Sequence, residues 1–444
     1  MSQCISRFIH EIQIGSLPES VKASARYWLL DLIGVAAAGT TTQLSRIIYN
    51  HAESQFGSVQ LKSRLLFDGR NASPVGAALA NGMTIDSIDA HDGHKLTKGH
   101  VGCGVLAGLL AFADVESLNS DEFLCALVIG YEIGTRAGIA LHRTALDYHT
   151  SGAWVALAVA ALGARLLKLD ETLTREALGI AEYHAPRSQM MRCIDFPTMI
   201  KDGSGVGAMT GVAAAYLAKD GFTGAPALLI DDAKVADLWS DLGQNWRIFE
   251  QYCKPYPVCR WAQPSVQAVL NLRKEYQLDS SMVKRIEITT FHEAIRLATR
   301  HPKTTEQAQY STAFPSASAL VWGTLGAREI SDSSFGHPEV KRLSASISFS
   351  ESDEFNRAFP ANRFAEVKLH LLDGRILASG PTEAIGDPEN PIPFQEVREK
   401  FFRYAMPVVG QTNATAIESA VARLGSETTL SELLELILTK PTKD

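Results

Sequence analysis

The sequence lacks the features that mark several large classes of protein. It has no long basic run, and its 49 acidic side chains outnumber the 42 basic ones, so no nucleic-acid surface is predicted. Its six cysteines are scattered without a CxxC pair, which argues against a structural zinc site and indicates reduced thiols. The N-terminus has no basic start followed by an apolar run. No uncharged apolar run reaches the roughly 20 residues that span a bilayer. These absences predict a cytoplasmic protein that binds neither nucleic acid nor membrane.

Apolar helical segments dominate the first part of the chain. Its 444 residues, 46% hydrophobic and 20% charged, are enough for two domains. Segments 18–39, 121–141, 151–169 and 205–219 are rich in Ala, Leu and Gly, which is typical of closely packed helices in a bundle. Asp31 is the one charged residue in the apolar half of the first segment.

The composition changes after about residue 270. Segments 283–291 and 365–372 alternate and are rich in β-branched residues, as expected for strands, and 345–349 is a possible third strand. Between them, 310–325 is apolar and helical. The fold prediction is therefore mainly α. It has a large all-helical domain (1–268), a smaller α+β lid domain (269–393) and C-terminal helices (394–444) that return to the helical domain.

Residues 89–102 are the most informative part of the sequence. Two Asp, three His, two Lys and three Gly lie there between the apolar segments 74–83 and 105–112. Titratable side chains brought into a core by apolar helices are what an acid/base active site requires. The stretch therefore predicts an enzyme.

Four further polar segments, 147–152, 184–192, 199–207 and 253–260, interrupt the apolar helices. Each has a His, Lys or Arg beside an expected helix end, and a helix start also favours an anion. Taken singly, each also has a structural explanation as a cap, a tight helix contact or a solvated charge. Gly203, Gly205 and Gly207 do not match GxGxxG and no strand precedes them, so nucleotide binding is not predicted.

A metal site is the alternative interpretation of the His-rich stretch, with His91, Asp92, His94 and His100 as ligands. The stretch offers no pair of histidines at helical i, i+4 spacing, and two nearby lysines would oppose a cation. We therefore expect neither a metal nor a cofactor.

The order and spacing of these segments resemble the MmgE/PrpD family over nearly the whole chain. Residues 31–39 resemble its N-terminal helix signature. Its first catalytic stretch is matched by Asn81, Gly82, Asp89, Asp92, Gly99 and His100. Tyr148 and His149 resemble the second catalytic stretch, and Lys201 and residues 254–259 resemble two lysine motifs.

This resemblance implies a cofactor-free, homodimeric enzyme acting on a small di- or tricarboxylate. The family includes 2-methylcitrate dehydratase, cis-aconitate decarboxylase and iminodisuccinate epimerase. By motif, catalytic roles fall on Asp89, His100, His149, Lys201 and Lys254. Substrate contacts are expected from Asp92, His94, Tyr148, Arg187, Tyr256 and Arg260.

Two positions depart from the pattern of the decarboxylase. Where it has Thr four residues after the first Asp, this chain has Gly93, and where it has a lid Tyr this chain has Phe314, one turn after Tyr310. The gap from Asp89 to His100 is also one residue longer. These departures argue against decarboxylation of cis-aconitate, and the DGHxxxKGH pattern resembles the epimerase-like branches. We expect dehydration first and epimerisation second.

The expected chemistry is removal of a proton from a carbon next to a carboxylate. Lysine and arginine side chains would neutralise the charge that develops on the carboxylate oxygens, and histidines would transfer protons near neutral pH. Asp89 would orient a His or Lys. The non-enzyme alternative is a helical protein that binds small anions without turning them over.

Overall fold

The protein is built from a helical body and a smaller domain with a mixed sheet, as the sequence predicts. The computed structural model describes residues 3–425 and 430–441. The helices of the first domain are α1 (Gln3–Glu11), α2 (Glu19–Gly39), α3 (Gln43–Gln55), α4 (Pro74–Asp86), α5 (Gly102–Ala113), α6 (Ser120–Thr144), α7 (Gly152–Leu166), α8 (Glu171–His184), α9 (Met190–Asp195), α10 (Ser204–Lys219), α11 (Leu228–Asp231) and α12 (Asp237–Ser240). Its short strands are β1 (Ser63–Arg64), β2 (Asn71–Ala72), β3 (Gly93–His94) and β4 (Gln251–Tyr252).

Helices α2, α4, α5, α6, α7 and α10 form the core of the body, and small residues let their backbones approach closely. A Cβ at Gly205 in α10 would lie 2.6 Å from the carbonyl oxygen of Leu79 in α4, so only glycine fits there. Helix α6 is long and apolar enough to cross a membrane by composition alone. Its apolar window is entirely buried inside the protein, as in a core helix.

The second domain carries a mixed sheet with strand order β6-β5-β7-β8, and β9 also pairs with β7. Its strands are β5 (Val283–Thr290), β6 (Ile347–Glu351), β7 (Phe364–Leu371), β8 (Ile376–Ala378) and β9 (Thr382–Glu383). Its helices are α13 (Gln263–Glu275), α14 (His292–Ile295), α15 (Thr305–Gln309), α16 (Ala313–Trp322), α17 (Asp332–Phe335), α18 (Pro338–Ser346) and α19 (Asp353–Ala358). Strand β5 is parallel to β6, with Ile286 opposite Ile347, and antiparallel to β7, with Ile286 opposite Leu369.

The C-terminal segment leaves the second domain and packs on the first. It contains α20 (Phe394–Arg423) and α21 (Leu430–Ile437), and α20 lies along α2. Gly410 bends α20 because its φ of 80° is not helical. This return brings Lys400 into the interior of the helical body, where it is buried.

Candidate active site

A cleft lies where the loop after α4, the loop before α10, the segment after β4 and the second domain meet. Its polar and charged lining residues are Asp89, Lys95, Lys98, His100, Asp202, Tyr252, Lys254, Arg260, Tyr310 and Arg363. Its remaining walls are Met190, Ile194, Cys259, Trp261, Phe359 and Pro360. The cleft is therefore rich in cations, with two carboxyl groups and one histidine among them.

Asp89 and Lys254 form a buried ion pair in the lining of the cleft. The Lys254 ammonium lies 2.6 Å from Asp89 Oδ1 and also donates to the Asp89 carbonyl oxygen at 3.1 Å. Burial raises the pKa of Asp89, but the charges of Lys254 and Lys201 outweigh it and hold the pKa well below its usual range. Asp89 adopts a left-handed backbone conformation (φ 51°), as does Lys201 (φ 54°). Such conformations cost roughly 1–3 kcal/mol and concentrate at functional sites.

His100 presents Nε2 to the carboxylate of this ion pair. Its Nδ1 lies 2.6 Å from the carbonyl oxygen of Asp92, which can only accept, so Nδ1 carries the proton and Nε2 has a free lone pair. Burial, with the charge of Lys254, holds the pKa of His100 well below its ordinary value. Nε2 lies 3.8 Å from Asp89 Oδ1 and 3.9 Å from Asp202 Oδ2. A neutral imidazole in this position is a proton acceptor.

Asp202 is the second carboxyl group of the cleft. Burial raises its pKa to about 7, with further increases from the neighbouring charges of Asp86 and Asp89. The hydroxyl of Ser151 donates to Asp202 Oδ2 and accepts from the His100 backbone N–H at 2.9 Å. Asp202 is therefore held beside the imidazole and can carry a proton near neutral pH.

Lys201 is buried beside the cleft and connects the two domains. Its ammonium donates to Oε1 of Gln309 and lies 4.6 Å from the centroid of the Tyr310 ring. The Gln309 amide in turn donates to the Ser87 carbonyl oxygen at 2.9 Å. Tyr310 lines the cleft, whereas Phe314 lies in the core of the second domain, 5.6 Å from Phe335 between ring centroids.

A second group of charges lies around Tyr252. The guanidinium carbons of Arg260 and Arg363 lie 4.8 and 5.1 Å from the centroid of its ring. Asp387 bridges the two arginines, with each ion pair measuring 3.0 Å. Gly93 lies opposite Tyr252 in the β3–β4 pair, and a Cβ at Gly93 would approach the Tyr252 hydroxyl to 2.3 Å. The glycine therefore makes room for the tyrosine.

The structure brings together four of the predicted site residues as lining groups: Asp89, His100, Lys254 and Arg260. Lys201 lies just behind them. The other six predicted residues, Asp92, His94, Tyr148, His149, Arg187 and Tyr256, are not among the residues that line this cleft.

Two of those six point into the body from the His-rich stretch. Asp92 Oδ2 accepts from the Gly102 backbone N–H at 3.1 Å, at the start of α5, and burial raises its pKa to about 6. His94 is paired with Glu250 at 2.9 Å and accepts from the Thr97 backbone N–H. Both therefore hold the loop in place.

The contacts of the other four lie outside the lining of the cleft. The Tyr148 ring packs under the Lys98 ammonium at 4.3 Å, so it supports a cleft residue without lining the cleft. The His149 backbone N–H donates to His142, and Arg187 is exposed. The Tyr256 hydroxyl donates to Gln267 in α13 at 2.8 Å.

The residues that the sequence interpretation missed come from places where a single chain gives weak signals. Asp202 directly follows the predicted Lys201 and lies in the polar segment 199–207. The sequence does not show that its carboxyl group is buried beside His100. Arg363 precedes β7 and Asp387 follows β9, in a domain predicted only as a lid. Only the fold brings them to Tyr252.

One group of metal-ligand type lies beside the cleft. Donor atoms of Asp86, Asp89 and His91 lie within 4.8 Å of one another. His91 Nε2 is 3.2 Å from Asp86 Oδ1, and Asp89 is paired with Lys254. The lysine already supplies the positive charge that these carboxylates need.

Comparison with known proteins identifies the family. Residues 3–244 match the family model of the MmgE/PrpD N-terminal domain, and residues 256–426 match that of the MmgE/PrpD C-terminal domain. This chain belongs to the MmgE/PrpD family. The resemblance inferred from its motifs is thereby confirmed, and so is the predicted fold class.

Several relatives carry names that describe their reactions. Cis-aconitate decarboxylase of Aspergillus terreus is 24% identical, over 98% of this chain and 95% of the relative. A cis-aconitate decarboxylase-like protein of Aspergillus oryzae is 24% identical, over 98% and 96%. Human cis-aconitate decarboxylase is 23% identical, over 90% and 87%. Family and relatives together support a lyase-type enzyme.

Proposed function

We propose that this protein is a lyase that removes a proton from a carbon next to a carboxylate of a small di- or tricarboxylate, with dehydration as its reaction. The observation that carries the proposal is the position of His100. Its unprotonated Nε2 lies between Asp89 and Asp202 in a cleft lined by cations. A neutral base surrounded by positive charge is suited to a substrate that becomes more negative as it loses a proton.

In the proposed step, His100 Nε2 takes the proton from the carbon next to a carboxylate. The charge that develops on the carboxylate oxygens is stabilised by Lys254 and Lys201. The electron pair of the broken C–H bond forms a carbon–carbon double bond, and the C–O bond to the neighbouring hydroxyl group breaks. Asp202 donates its proton to the departing oxygen, which leaves as water.

Decarboxylation is the second candidate, and the names of the relatives favour it. In that reaction a carbon–carbon bond to a carboxylate breaks and carbon dioxide leaves. The electron pair that remains on carbon takes a proton from the acid of the site. The same cations would hold the substrate, so the two reactions differ in the leaving group and in the direction of proton transfer.

Incubation with a panel of polycarboxylates in deuterated water, followed by NMR, tests the proposal. A dehydratase gives an unsaturated product and exchanges the C–H proton, a decarboxylase releases carbon dioxide, and an epimerase returns the opposite stereoisomer with deuterium. Binding without any exchange or product would contradict an enzyme and support the anion-binding alternative. His100→Ala should lower the rate on the order of 10²–10⁴-fold. His301→Ala, at an exposed histidine, is the control.

We further propose that the protein is a cytoplasmic homodimer, as the family resemblance implies. Sedimentation velocity measures the assembly directly. A single species of about twice the 48.2 kDa chain mass is expected, and a monomer at micromolar concentration would contradict it.

A further inference from the structure

The cations of the cleft fall into two groups with different partners. Lys254 and Lys201 act on Asp89, beside the proposed base His100. Arg363 and Arg260 surround Tyr252 and share one carboxylate, that of Asp387. Tyr252 and Arg260 come from the same segment of the chain as Lys254, whereas Arg363 and Asp387 come from the second domain.

Positive charge is in excess around Tyr252. Lys95 approaches the same Asp387 carboxylate to 3.7 Å, so one carboxylate faces three cations. The other partner of Lys95 is Glu389, whose side chain is 71% exposed and therefore screened by water. A buried excess of cations is costly unless an anion joins it.

Arg260 and Arg363 differ in how well their donors are satisfied. Arg260 donates to Gln263 Oε1 at 3.0 Å and to the Ile385 carbonyl oxygen at 2.9 Å, besides its pair with Asp387. Arg363 is only 6% exposed, and its Nε has no hydrogen-bond partner among residues 3–425 and 430–441. It lines the cleft, and its Nη2 is held by Asp387 at 3.0 Å. A buried guanidinium donor without a partner costs free energy, and an acceptor such as a carboxylate oxygen that binds in the cleft would satisfy it.

We propose that Arg363, fixed by Asp387 and by the Tyr252 ring, binds a second carboxylate of the substrate, remote from the carbon that loses its proton. The inference rests on the proposed function, because it assigns the Asp89–Lys254 pair to the reacting part of the substrate. It restricts the substrate to acids with two carboxylates, one for the Asp89–Lys254 pair and one for Arg363. Monocarboxylates, and esters or amides of the remote carboxylate, lack the group that Arg363 binds.

Calorimetric titration of the wild type and Arg363→Met with a dicarboxylate and its remote monoamide tests the subsite without requiring turnover. The wild type should prefer the dicarboxylate, and Arg363→Met should weaken its binding roughly 10- to 100-fold while leaving the monoamide unchanged. With the true substrate, KM should rise more than kcat falls. Arg375→Met, at an exposed arginine paired with Asp373 in a turn of the same domain, is the control.

Equal binding of both ligands by the wild type, or an equal loss for both in Arg363→Met, would overturn the subsite. If the methionine variant does not fold, Arg363→Lys tests the same subsite, because it keeps the charge but loses the planar donor group. It should lose part of the preference for the dicarboxylate, and an unchanged preference would also overturn the proposal. If the preference depends on Arg363 but no C–H exchange occurs, the subsite stands and the proposed function fails.

Discussion

Lys400 in helix α20 forms a buried ion pair with Asp31 in helix α2, with 2.7 Å between the ammonium and Oδ1. The same ammonium donates to the Ala90 carbonyl oxygen at 2.7 Å and lies 4.0 Å from Cys253 Sγ. Ala90 follows Asp89, and Cys253 precedes Lys254. Lys400 therefore contacts both backbone segments that carry the Asp89–Lys254 pair, and the C-terminal helix helps to position the site.

Loss of Lys400 should destabilise the protein. Lys400→Met leaves Asp31 buried without its partner, which typically costs about 3–5 kcal/mol in the free energy of unfolding. Urea denaturation measures the loss. The double variant Asp31→Leu/Lys400→Met removes both charges and should be more stable than the single variant.

Arg398→Met is the matched control on the same helix. Arg398 is 39% exposed in its pair with Glu418, so its loss should cost no more than about 1 kcal/mol. Equal stability of Lys400→Met and wild type would contradict a structural role for the buried pair. If the double variant folds but reacts slowly, the positioning role of Lys400 is supported separately from stability.

Lys254→Met should reduce proton abstraction strongly. The ammonium is the closest cation to Asp89 and lines the cleft, so its removal takes away charge that stabilises the developing anion. Loss of one such electrostatic contact costs on the order of 10²–10³ in rate. The rate of deuterium incorporation measures it, with Lys62→Met, at an exposed lysine, as the control. Full exchange by Lys254→Met would remove this lysine from the mechanism.

The sequence predicted the helical elements well because their signal is local. Residues 18–39 read as a helix, and α2 spans Glu19–Gly39. The strand segments 283–291 and 365–372 correspond to β5 and β7, since alternation with β-branched residues is a local pattern too. The possible third strand at 345–349 is displaced, because α18 continues to Ser346 and β6 begins at Ile347.

The site was harder to predict because side-chain direction is not local information. Asp89 and Asp92 are only three residues apart, yet one faces the cleft and the other caps the start of α5. Asp202 and Arg363 reach the cleft only through tertiary packing. A cluster of titratable residues in sequence therefore led to the candidate cleft but did not predict which of its side chains line that cleft.

Deprotonation of Asp202 should make the activity fall at alkaline pH, which gives the plot of kcat against pH an alkaline limb. Burial raises its pKa to about 7, and as the proposed acid it must be protonated, so kcat should fall as the pH rises through this value. Its carboxyl group faces His100 and Ser151, and Cys193 Sγ lies 3.8 Å from Oδ1. Asp202→Asn should lower kcat and flatten the alkaline limb. A pH profile identical to that of the wild type would exclude Asp202 as the acid.

The raised pKa of Asp202 also predicts how the stability of the protein depends on pH. Because its folded-state pKa of about 7 lies above the ordinary 3.8, protonated Asp202 stabilises the folded protein. That contribution is fully present below the ordinary pKa and is lost as the pH rises through the folded-state value. As the pH rises from 5 to about 8, the wild type should therefore lose this contribution to stability, whereas Asp202→Asn has no such contribution to lose. Thermal unfolding at both pH values measures this difference.

A chelator should leave the activity intact. Asp86, Asp89 and His91 have the types of atoms that bind metals, but the Lys254 ammonium already pairs with Asp89. Dialysis against EDTA should not change the rate of deuterium exchange. A loss of rate that added zinc or iron restores would establish a metal site at these residues.

Gly93→Ala should disturb the site through Tyr252. The added methyl group would approach the Tyr252 hydroxyl to 2.3 Å and its ring carbons to 2.4 and 2.7 Å, so the ring must move. Overpacking of this kind costs about 1–3 kcal/mol. Displacement of Tyr252 also moves the surface against which Arg260 and Arg363 pack, so substrate affinity should fall together with stability. Gly336→Ala, where an added Cβ meets no atom of the described residues within 4 Å, is the control.

A double-mutant cycle separates this contact from a general effect of alanine at position 93. In a Tyr252→Ala background, Gly93→Ala should cost little further stability, because the ring that it would strike is absent. Additive losses from the two changes would show that Gly93 is required for another reason. In that case the stability lost by Gly93→Ala would not come from its contact with Tyr252.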